Sequence, residues 1–185
     1  VLTLTRPLRH PEGRQRREER RRLRRLDTLS RQLADLHAID DLLEASIAVV
    51  QRGWVQHAWF QVSAPRGARA VTGPGFRAAV KHPVTGACLV GSVVDGAGGV
   101  ETVRSMRVQR TLDLLWHTLR EQPDHPVRWC PGPNLRMMHT MDLTHWNDAP
   151  ERTRDDVVQL LRDGHQTAER ERERYLAERE TLTLV

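Results

Sequence analysis

The chain has 185 residues, 38% hydrophobic and 29% charged, a length that suits one domain with extensions rather than several. Two cysteines are too few for a disulfide framework, and no run of about 18 apolar residues offers a membrane-spanning helix. The net charge of +5 is concentrated at the front: residues 1–26 hold ten Arg and three Glu, and the rest of the chain is slightly acidic.

The first residues, VLTLTRPLRHPE, carry two prolines and no period, which reads as an irregular arm. The start shows no signal-peptide pattern, so the expected location is the cytoplasm; Val1 is compatible with a trimmed chain or a literally translated GUG start. From Gly13 to His37 the pattern becomes helical. Leu23, Leu26, Leu29, Leu33 and Leu36 recur at spacings of three and four. The stretch RQRREERRRLRR in the same helix has almost nothing to bury.

A second helix is expected over IDDLLEASIAVVQRGW. Asp40 or Asp41 would cap it, Leu42, Leu43, Ile47 and Val50 would face inward, and Gly53 would stop it in the left-handed conformation. HAWFQVS alternates as a short strand, and a second strand is expected near Arg77–Lys81. A helix is then expected from Thr85 to the glycine cluster at 96–99. Another spans 100–120 with Val103, Met106, Leu112, Leu115 and Leu119 inward. Residues from about Pro123 to Met141 read as a long loop, and loops of that length inside a domain often carry function. The last helices begin at Thr153, where Asp156 completes a capping-box-like pair. They resume past Gly164 as ERERERYLAERE, charged on nearly all sides. The expected fold is mostly α: a compact helical domain (38–164) with a minor β-hairpin, flanked by an Arg-rich arm and helix (1–37) and a charged C-terminal helix (165–185).

Three stretches together resemble an uncharacterised family of actinobacteria and their phages. LLEASIAVVQRGWVQHA (42–58) is similar to its GW-x-Q helix end, ACLVGSVV (87–94) to its C-x-x-G-[AS] helix start, and WNDAPERTRDDVVQLLRDG (146–164) to its WNDxPxRT segment. The family is a domain of unknown function, so the resemblance implies a domain boundary and no activity.

The residues that can carry chemistry are few. Arg14, Arg16, Arg17, Arg20, Arg21, Arg22, Arg24 and Arg25 can neutralise phosphates, and such contacts supply most non-specific nucleic-acid affinity. No aromatics interleave with them, so base stacking is not expected. The opposing reading is a solvated helix, or one paired with the acidic C-terminal helix. Cys88 in a helix's first turn, with His145 and Asn147 or Asp148 downstream, follows the residue order of cysteine hydrolases. Against this, cysteine packs as a small hydrophobe, and Asn147 and Asp148 suit a rigid turn that Pro150 shapes. His125, Cys130, His139 and His145 share a region but lack the close ligand pairs of zinc fingers, so no metal and no cofactor is expected. The favoured expectation is a non-enzymatic accessory protein contacting nucleic acid, or a nucleoprotein partner, through its Arg-rich helix. A Cys88 hydrolase or transferase and an oligomeric scaffold zipped by the terminal helices are the alternatives.

Overall fold

A computed structural model describes residues 11–72 and 82–184. The fold is mostly α with a small antiparallel sheet. The expected strand near Arg77–Lys81 falls outside the described residues, as do residues 1–10 of the arm.

Helix α1 runs unbroken from Pro11 to Arg52, 42 residues. At 1.5 Å per residue it is about 63 Å long. The break expected after His37 does not exist. No Gly or Pro interrupts the chain between Gly13 and Gly53. The buried stripe Leu36, Ile39, Leu43, Ile47 and Val50 passes straight through the expected break. Asp40 is no cap; it pairs across the molecule with Arg172 and His165. The proposed boundary between residues 37 and 38 therefore lies inside a helix.

Gly53 ends α1, but its φ is not among the positive ones. Its requirement is space: a Cβ there would lie 2.2 Å from the Thr85 carbonyl oxygen. The Gly53 carbonyl accepts the Ala87 N–H at 2.9 Å, and Trp54 makes a parallel bridge with Ala87.

Strands β1 (Phe60–Ala64), β2 (Gly67–Val71) and β3 (Val84–Ala87) pair in the order β2-β1-β3. β1 and β2 form a hairpin with Phe60 opposite Val71. Phe60 and Val62 are buried while Ser63 is exposed, the period of two expected of a half-covered strand. The helix expected from Thr85 begins later, because residues 84–87 are taken by β3. Cys88 is then the N-cap of α2 (Leu89–Gly96), which is buried along most of its length.

A 3-10 turn at Val100–Thr102 leads to α3 (Met106–Arg120), capped by the Ser105 hydroxyl, which accepts the Val108 N–H. Leu112 and Leu115 face inward as expected, whereas Met106 is exposed in the first turn. The expected loop up to Met141 is half helix: α4 spans Pro133–Asn147, with Pro133 at its first turn. Finally α5 (Arg154–Thr183) starts with a complete capping box between Thr153 and Asp156. It continues through Gly164, so the boundary at 164/165 is also internal to a helix. Gly164 is a packing position, since a Cβ there would press on Leu115 at 3.1 Å and Leu43 at 3.4 Å.

Long helices α1 and α5 lie antiparallel along each other, the principal contact in the molecule. Asp40 meets His165 and Arg172, Arg25 meets Glu178, and Arg22 reaches the Leu182 carbonyl. The two charged terminal helices are thus paired within the chain. α5 ends opposite Arg22, so the first three turns of α1 extend past it.

Candidate functional site: the arginine face of helix α1

The eight candidate arginines between Arg14 and Arg25 divide into two groups. Arg25 donates from Nε and Nη2 to the two carboxylate oxygens of Glu178 at 2.6 and 2.5 Å. Its pKa is raised chiefly by that hydrogen bond, and the same contact lowers the pKa of Glu178. Arg22 is half-buried, bonding to the Leu182 carbonyl and to Glu19. Arg14 pairs with Glu18 one turn away. These three are occupied to differing degrees by their own molecule.

Arg16, Arg17, Arg20, Arg21 and Arg24 form the second group. All are exposed, and none has an ion-pair partner among the described residues. At 100° per residue these five side chains fall within an arc of about 140°. The buried Leu29 and Leu36 and the half-buried Leu33 lie roughly on the opposite side of the same helix. Glu18 and Glu19 also project away from the arc. The face is therefore five guanidinium groups over about 12 Å of helix, with no carboxylate between them.

The WND segment ends α4 rather than preceding the last helix alone. Asn147 is fully buried, and all of its hydrogen-bonding capacity is used. Oδ1 accepts from Trp54 Nε1 at 2.9 Å and from the Leu89 N–H at 3.0 Å, while Nδ2 donates to the Val55 carbonyl at 3.2 Å and to Asp148 at 2.8 Å. Two donors on one atom and two acceptors on the other fix the amide's orientation. Asp148 accepts the backbone N–H of His57, the one non-glycine residue with positive φ among those described. Gln56 donates to the Asn147 and Ala149 carbonyls. Arg152 lies over the Trp146 ring at 4.1 Å. This is a junction joining α1, α2, α4 and α5, and its polar groups are spent on structure.

Cys88 is placed as a packed core residue. It is 1% exposed, and burial pushes its thiol pKa up to about 11 despite the Gly91 N–H that its sulfur accepts at 3.3 Å. The nearby Asp148 carboxylate raises it further. His145 is exposed in the last turn of α4 and makes no hydrogen bond to Cys88. The Cys–His pair of the alternative hydrolase reading is therefore not hydrogen-bonded, and Cys88 belongs to the core that packs α2.

The four possible ligands between His125 and His145 also separate. His125 and His145 are exposed. Cys130 and His139 are buried and converge, and Asp113 of α3 joins them. Asp113 was not legible as a site residue: in TLDLLW it passes for a polar gap in an apolar helix. A carboxylate flanked by leucines on both sides was the signal available.

No curated protein and no solved structure matches the chain. A family model described as a family of unknown function (DUF6197) matches residues 33–167, and the chain belongs to that family. The matched span contains the WND junction and the Asp113 cluster; the arginine face precedes it.

Proposed function

We propose that this member of the family is a non-enzymatic accessory protein that binds nucleic acid through Arg16, Arg17, Arg20, Arg21 and Arg24. One observation supports the reading: five guanidinium groups with no ion-pair partner among the described residues share one face of a helix that extends past its α5 partner. Arginine presents a planar donor fork suited to phosphate oxygens. A cationic face of this kind contacts the backbone and carries no set of side chains for reading base edges, so binding is non-specific in sequence. Arg22 and Arg25 leave the binding set, since they hold α5 against α1.

The experiment is fluorescence anisotropy with a labelled duplex at low salt. Replacing the five arginines by Gln weakens binding by about two orders of magnitude or more, given the backbone contacts removed. Arg25→Gln, which leaves the face intact, retains it. Equal binding by the five-Gln variant and the parent chain overturns the reading. Mass by light scattering in the same buffer separates nucleic-acid binding from self-association.

A further inference from the structure

Asp113, Cys130 and His139 come from three parts of the chain and meet inside it. Asp113 is in the middle of α3 between Leu112 and Leu114, Cys130 lies two residues before Gly132, the N-cap of α4, and His139 sits in the second turn of α4. None is more than 5% exposed. One ligating atom from each lies within 4.8 Å of the other two. His139 Nδ1 is 3.3 Å from Asp113 Oδ1. That separation is close to the edge of a tetrahedron whose metal–ligand bonds are about 2.0 Å.

The groups around the three residues hold them in place. Asp113 Oδ2 accepts the Cys130 N–H at 3.2 Å and lies 3.4 Å from Arg136 Nε, which leaves Oδ1 toward the imidazole. Arg136 Nη2 also donates to the Cys130 carbonyl at 3.1 Å. The His139 ring is stacked on Trp116 at 3.9 Å and 11°, and Trp116 is anchored by its own bond to Asp142. Outer contacts of this kind set ligand orientation in metal sites. A fully buried aspartate in mid-helix is costly as a packing residue, so its presence asks for a role.

We propose that Asp113, Cys130 and His139 form a zinc site, with its fourth position left to water or a small anion. One thiolate, one imidazole and one carboxylate suit zinc and disfavour the oxygen-seeking calcium and magnesium. On binding, the Cys130 thiol gives its proton to solvent and exchanges its 3.1 Å contact with the Gly132 carbonyl for a sulfur–zinc bond. His139 supplies a neutral ring nitrogen and Asp113 its Oδ1. Thiolate and carboxylate cancel the ion's charge, and Arg136 leaves one positive charge that an anionic fourth ligand balances. Such a site ties the irregular 121–132 connection to both α3 and α4. It is independent of the arginine face.

The test uses the full chain after chelator treatment, with its fold checked by circular dichroism. Cobalt(II) is titrated first, then displaced by zinc. One equivalent per chain, with tetrahedral d–d absorption and a sulfur-to-cobalt charge-transfer band, supports the site. Cys130→Ser, close in size to the parent, loses the charge-transfer band and weakens zinc binding at least about tenfold, as does His139→Gln. His125→Ala and His145→Ala bind as the parent does. A folded parent chain that takes up no cobalt or zinc overturns the proposal. So does uptake unchanged by both Cys130→Ser and His139→Gln.

Discussion

Asn147 is the side chain on which most of the local architecture converges. Replacing it with Ala takes a partner from the buried Leu89 amide and from the half-buried Trp54 indole N–H and Val55 carbonyl. Unsatisfied buried groups cost about 1–3 kcal/mol each before relaxation, so a net loss of about 3 kcal/mol is expected from urea unfolding. Asn147→Asp turns a carboxylate oxygen toward the Val55 carbonyl and Asp148. That variant is expected to be less stable at neutral pH than under mildly acidic conditions, where protonation relieves the repulsion. Cys88 gives a second prediction at this scale. With its thiol pKa raised to about 11 by burial, iodoacetamide at pH 8 leaves it unlabelled in the native chain and labels it in urea, as peptide mass mapping reads. The sequence offered both cysteine readings, and burial favours packing: a helix N-cap favours a thiolate only where the sulfur keeps some solvent or a cationic partner.

Among the elements, the start of α5 was legible, and the continuity of α1 and α5 was not. The Thr153–Asp156 box was visible as a spacing of three, and both of its hydrogen bonds form. Thr153→Ala is expected to lower stability by about 1 kcal/mol. Helix α4 was hidden because its buried positions are His139, Leu143 and Asn147, a stripe with one apolar member. Leu135, Met137, Met138 and Met141, the residues that suggest a core, are instead exposed. α1 was divided in sequence because Asp40 and Asp41 look like caps; only the partner helix explains Asp40. The docking of α5 depends partly on Arg25 and Glu178. Glu178 has a lowered pKa through its bond to Arg25, so its contribution is present above the ordinary value of 4.5 and is lost as pH falls through the lowered one. Both side chains are about 40% exposed, which limits the pair to about 1 kcal/mol or less. Arg25→Ala should therefore quicken amide exchange in the last turns of α5 by about fivefold at most, while nucleic-acid affinity holds.

For the whole molecule, the division of labour follows the charge. The family-matched span supplies a body packed around the hydrophobic core. The leading helix supplies cationic surface that the body cannot use, because α5 neutralises only one side of it. Composition showed where the charge lay in the chain; which guanidinium groups lack a partner among the described residues depends largely on the pairing of α1 with α5, a long-range contact that local patterns do not encode. The salt dependence of duplex DNA binding tests this account most directly. If all five arginines of the face contact phosphates, log affinity falls against log salt with a slope of about −4.5, or about 500-fold between 50 and 200 mM, and the five-Gln variant loses nearly all of that slope. A shallow slope for the parent chain, or the same slope for both, would contradict it.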